Sequence, residues 1–168
     1  CSWIKGIYSA TRKYHIQKII SVIQGDCSNN EALMEIFQSE GIKTIPFAYP
    51  HDKTDTSFLH DQLMKLADNL GVPYSKAEEM KKHLDVIRAK VHKIDGLTWK
   101  EDTVTGEENH IWTVSTSDLM GDYTTFEERA IRFLKLAQGR EPIRHDLRIG
   151  VIGIPPICED LYPFLSSI

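Results

Sequence analysis

At 168 residues, 41% hydrophobic and 26% charged, the chain has enough apolar side chain to bury one full core and does not have the composition of a disordered segment. A formal charge of −4, spread without any long block of like charges, leaves no electrostatic footprint for a nucleic-acid binder. No apolar run reaches the roughly 18 residues that span a bilayer, and an odd number of cysteines argues against a disulfide framework and for a reducing compartment, with the cytoplasm expected.

Trp3, Ile7, Ala10 and Tyr14 recur at helical spacing and predict a short opening helix with Cys1 at its start. Lys18 to Gln24, KIISVIQ, reads as a first strand. It runs into Gly25-Asp26-Cys27-Ser28-Asn29-Asn30, and a helix from Asn30 to Glu40 comes next, with Leu33, Ile36 and Phe37 inward and Gly41 as its stop. Ile42 to Ala48 is the second strand; Pro46 removes one ladder donor and places it near an edge. One helix of ordinary crossover length joins the two strands, so they are expected to be parallel neighbours. Leu59, Leu63, Leu66, Ala67 and Leu70 form an amphipathic helix stopped by Gly71 and Pro73. A capping box at Ser75 to Glu78 predicts a further helix with the stripe Met80, Leu84, Ile87, Val91 and Ile94, read as core, with oligomer contact as the lesser reading.

Residues 100–123 show no period and are read as a long irregular segment in which His110 and Trp112 either line a cleft or, for Trp112, anchor the loop beneath the helices. A second capping box at Thr125 opens a helix over Phe126 to Gln138, closed by Gly139. Arg140 to Asp146 reads as a linker, and Ile149 to Ile154 as a buried strand that starts a second domain or returns to the first sheet. The expected architecture is thus α/β, a Rossmann-like parallel sheet flanked by helices over residues 1–145, with residues 146–168 as the first βα unit of a truncated second domain. Gly150 and Gly153 lack dinucleotide spacing and are read as packing glycines. The basic residues Lys81, Lys82, Arg88, Lys90 and Lys93 read as a solvated helix face.

Chemistry concentrates at the turn after the first strand. Ligands collect at the carboxyl ends of parallel strands, and free N–H groups of the next helix favour negative charge there. A cysteine in that setting is a better nucleophile or metal ligand than one in a core; the competing reading makes Cys27 a small buried hydrophobe. Topology brings Cys1, at the start of a helix leading into the same strand, to the same sheet edge. Two thiolates are too few for a closed metal site, so Cys158, a non-protein ligand, another subunit or a cysteine beyond Ile168 has to complete it; Cys158 reads equally well as a packing residue at an interdomain wall.

Four segments, CSWIKGIY from Cys1, QGDCSN from Gln24, ENHIW from Glu108, and IGIPPI from Ile152 with Asp160-Leu-Tyr, resemble the 2-hydroxyacyl-CoA dehydratase family, the D-component or benzoyl-CoA reductase-related type. The resemblance runs over nearly the whole chain, most specifically at Gly25 to Ser28 and the Pro-Pro strand end, and is weak through residues 55–100. It implies a lyase of anaerobic metabolism, longer than this chain, that removes water from a 2-hydroxyacyl-CoA by a one-electron, ketyl-radical route. It further implies a [4Fe–4S] iron–sulfur cluster held by three cysteines, two of them matching Cys1 and Cys27, with Gly25, Asp26, Ser28 and Asn29 shaping the turn that holds it. The third ligand is expected beyond residue 168, so this piece alone is expected to be inactive and its cluster absent or incomplete. The implied partners are a related dehydratase subunit or a second copy, an ATP-dependent activator that is itself an iron–sulfur protein, and the acyl-CoA substrate. The alternatives are a double-cubane cluster reductase of small molecules and a non-catalytic assembly or electron-relay subunit.

Overall fold

A computed structural model describes residues 2–143, 147–153 and 160–167. The chain divides into two compact units, Cys1–Glu79 and Met80–Ile168. Among the described residues no helix is long and apolar enough to cross a membrane.

Unit 1 is built on two strands, β1 (Lys18–Gln24) and β2 (Lys43–Ala48), paired in parallel from Lys18 opposite Lys43 to Gln24 opposite Ala48. The crossover is α2 (Ser28–Ser39), which packs on both strands. The expected α/β layout is therefore present as a small two-stranded parallel sheet flanked by helices, with α1 (Ser2–Lys13) against α2 and α3 (Thr56–Leu70) against β2. The buried hydrophobic residues of this unit are Leu33 and Phe37 of α2, Ile45, Phe47 and Ala48 of β2 and Ala67 of α3.

The backbone explains where α2 stops. Gly41 sits at φ +80°, its N–H donates to Gln38 O, and the N–H of Ile42 reaches back to Phe37 O at 2.9 Å. That pairing closes the last turn as a Schellman motif, and the left-handed residue it needs costs glycine nothing. Lys43 N donates to Gln17 O and Tyr49 N to Gln24 O, so alternate residues of β2 face β1 and Pro46 faces outward. Pro46 accordingly blunts the outer edge of β2, whereas β1 has no second neighbour among the described strands.

Two expectations for this unit are corrected. The opening helix expected from Trp3, Ile7, Ala10 and Tyr14 is present as α1, but Trp3, Ala10 and Tyr14 are exposed and its covered side chains are Ile4, Ile7, Tyr8 and Thr11. Tyr8 sets the helix by stacking on Phe37, ring centroids 5.9 Å apart, and by donating its hydroxyl to Glu40 Oε1 at 2.6 Å. Ile36 is solvent-facing, because the arc of α2 that touches the sheet is narrow enough for Leu33 and Phe37 to fill.

The next helix, α4, runs Tyr74–Trp99. It begins one residue before Ser75, so the Ser75 capping box is not its start. Within unit 2 the predicted stripe is borne out at its centre: Ile87, Val91 and Ile94 are buried, while Met80 is exposed. They pack with Leu119 and with Phe126, Ala130 and Ala137 of the helix Tyr123–Gln138. Lys90 is not merely solvated; it pairs with Glu127 of that helix at 2.8 Å, both side chains largely covered, and ties the two helices together.

Residues 100–123 are not irregular. They hold α5 (Gly106–Val114) and a single 3-10 turn at Leu119–Gly121. The α5 start is a complete capping box: Thr105 Oγ1 accepts from Glu108 N at 3.1 Å, and Glu108 Oε2 accepts from Thr105 N at 3.1 Å. Trp112 of α5 packs on Phe126 and Phe133, centroids 5.2 and 5.3 Å away, so it anchors the core and does not line a cleft. At the start of α6 (Tyr123–Gln138) the cap is Asp122, not Thr125. Its carboxylate accepts from both hydroxyls and both backbone N–H groups of Thr124 and Thr125, and those bonds, the Thr124 hydroxyl first, hold it down at about 2.

The expected strand at Ile149 to Ile154 is not formed over residues 149–153, where Ile149, Val151 and Ile152 are exposed; Ile154 lies outside the described residues. The described elements of this unit are helical, so a β-branched run there finds no ladder to join. Gly150 and Gly153 are not packing glycines either, since a Cβ at either position meets nothing within 4 Å. A short helix, α7 (Leu161–Leu165), completes the described elements.

Arg140, read as linker, is a fixed part of unit 2. Its guanidinium bonds both oxygens of Glu108 at 2.8 and 2.9 Å and reaches Thr103 O. These bonds, helped by the Thr105 N–H and opposed by partial burial, hold the Glu108 carboxyl below the usual carboxylate range. A carboxyl depressed in the fold contributes stability above its unfolded pKa, about 4.3, and loses it as pH falls through the lower folded value. Glu108→Gln is thus expected to cost about 1–3 kcal/mol at pH 7 and less at pH 3, below the unfolded pKa, measured by urea midpoints. An equal cost at both pH values would show that the charge is not what matters.

Candidate functional site

The turn between β1 and α2 holds the predicted site residues Gly25, Asp26, Cys27, Ser28 and Asn29, and all five are exposed. Gly25 has φ +88°, and a Cβ there would fall 2.8 Å from Tyr49 Cβ. Tyr49 is held in return, since Gln24 Nε2 donates to Tyr49 O at 2.7 Å and Tyr49 N donates to Gln24 O at 3.0 Å. The carboxyl ends of both strands are thereby locked side by side.

Asp26 organises the start of α2. Its Oδ1 accepts from Cys27 N at 2.7 Å and its Oδ2 from Asn30 Nδ2 at 2.8 Å. The residue capping α2 is Cys27 itself, in extended conformation and with no side-chain capping bond, so the helix starts two residues before the expected Asn30. Ser28 opens the helix. Asn29 Nδ2 lies 3.3 Å from Cys27 Sγ and donates to it. The alternative that Cys27 is a buried hydrophobe is excluded, because its thiol faces solvent at the end of β1. The first turn of α2 is also tied to the sheet, as Ser21 Oγ donates to Asn30 O at 3.3 Å.

Cys1 and Cys158 lie outside the described residues, so the expected convergence of Cys1 on Cys27 does too. The expectation of an iron–sulfur or other metal-binding centre is corrected: among the described residues no three Cys, His, Asp or Glu side chains gather to hold a metal ion. Asp26, the carboxylate adjacent to Cys27, spends both oxygens inside the turn. His110 faces Tyr162, ring centroids 5.0 Å apart, and His60 and His83 sit edge-on to Tyr74 and Tyr123.

Sequence reasoning missed Tyr49 and Asn30, which complete the turn. The signal for Asn30 was available, since an Asx side chain four residues after Asp26 reaches back over one helical turn. Tyr49 is a tertiary contact without a local signature. A separate concavity of about 330 Å³ lies within unit 2, between Val104, Gly106, Ile143, Leu147 and Tyr162. Arg148 at its rim is committed to Asp102 Oδ2 at 2.6 Å and to Trp99 O.

Gly25→Ala tests how tightly the turn is built. It adds both a left-handed non-glycine residue and a clash, for an expected loss of about 2–3 kcal/mol. Gly41→Ala, at φ +80° with nothing within 4 Å of the new Cβ, carries the backbone cost alone, about 1 kcal/mol. Equal losses in thermal unfolding would mean that Tyr49 simply moves aside.

Compared with known proteins, the chain matches no family model, no curated protein and no solved structure.

Proposed function

We propose that this chain belongs to a 2-hydroxyacyl-CoA dehydratase-like protein, a cytoplasmic lyase that removes water from a 2-hydroxyacyl-CoA, acting with a related subunit or a second copy and with an ATP-dependent activator. The observation that carries the reading is the Gly25–Ser28 turn: one of the two segments in which the resemblance is most specific is the one that places an exposed thiol at the carboxyl end of a parallel strand. That edge is where ligands of open α/β sheets bind. The sheet supports a larger, Rossmann-like architecture in one further respect. Pro46 closes the β2 edge, while the edge of β1 carries no such guard and parallel sheets of two strands are marginal alone.

In the proposed reaction one electron from the activator enters the thioester carbonyl, and the ketyl radical so formed expels the neighbouring hydroxyl. Loss of a proton from the adjacent carbon and return of the electron leave the enoyl thioester, so only water is lost. The turn residues act by position: Gly25 lets the backbone approach Tyr49, Asp26 and Asn30 fix the start of α2, and Cys27 presents its thiol to the edge.

The test is anaerobic turnover by the intact protein with its related subunit, activator and ATP, over a panel of 2-hydroxyacyl-CoAs, with enoyl-CoA read by chromatography. Cys27→Ala is expected to lower the rate at least tenfold while leaving the unfolding midpoint unchanged. Full activity in the variant would remove Cys27 from the site. If the wild type binds its related subunit yet dehydrates none of the panel, the non-catalytic assembly reading replaces this one.

A further inference from the structure

We draw no further inference here: the strongest candidate, the apolar trough of unit 1 between Trp3, Ile7 and Leu33 beside the β1 edge that has no second neighbour among the described strands, is a face without a partner among the described residues, and nothing in the structure shows what covers it.

Discussion

Ile87→Asp is expected to destabilise unit 2 by about 4 kcal/mol or more, a large part of the roughly 5–15 kcal/mol that holds an ordinary domain. Ile87 has no exposed surface and sits among Val91, Leu119 and Phe126, with Leu84 and Trp112 against the same cluster. The substitution removes a buried aliphatic side chain, a loss of roughly 2 kcal/mol or more, and sets a carboxylate among aliphatic and aromatic side chains. The control is one residue away. Val86 is 56% exposed on the same helix, so Val86→Asp changes helix propensity and charge without burial and is expected to cost under about 1 kcal/mol. Urea unfolding of the two variants side by side checks the claim, and equal midpoints would mean that the α4 stripe is not core.

That stripe was legible because helical periodicity survives over a long element. Ile87, Val91 and Ile94 repeat at four and three, and any partner that covers one covers all. β1 and the crossover to β2 were legible for a similar reason: two short β-branched runs separated by one glycine-stopped helix leave few topologies open. α5 was not, since it has nine residues and buries none of them fully. Its one clear mark was the Thr105 to Glu108 box, set among polar residues that resemble a loop. The α6 start shows two capping residues in competition. Asp122 and Thr125 are both of a residue type that caps helices, only Thr125 has the box spacing, and the carboxylate wins because it can accept from several donors at once.

The candidate site divides along the same line. A thiol in a strand-to-helix turn can be read from local sequence, and Cys27 is where that reading placed it. The contacts that hold the turn cannot, because Tyr49 reaches Gly25 from the end of the neighbouring strand. The strand expected at Ile149 fails for the opposite reason. Its local signal is strong, but a strand exists only by pairing, and residues 149–153 have no ladder.

Phe37→Ala is expected to cost unit 1 about 3–5 kcal/mol, the usual range for emptying a buried phenylalanine site. Only 1% of Phe37 is exposed, and its ring is the platform on which Tyr8 stacks nearly parallel, at an interplanar angle of 11°. Its carbonyl also accepts the Ile42 and Glu40 N–H groups that close α2. Truncation keeps those backbone bonds but leaves a cavity beneath α1, so the Tyr8 to Glu40 hydrogen bond and the Arg12 to Glu40 ion pair at 3.0 Å lose the packing that aligns them. Ile36, its neighbour in sequence, is 47% exposed, and Ile36→Ala is expected to cost under about 1 kcal/mol. Denaturant-dependent amide exchange at Ile19 and Ile45, whose N–H groups face the partner strand, reads the sheet directly and should report the large loss for Phe37→Ala alone. If both variants weaken protection equally, α2 is held to β1 and β2 by something other than the Phe37 ring, and the placement of the Cys27 turn then rests on the hydrogen bonds of Asp26 and Ser21 instead of on the core.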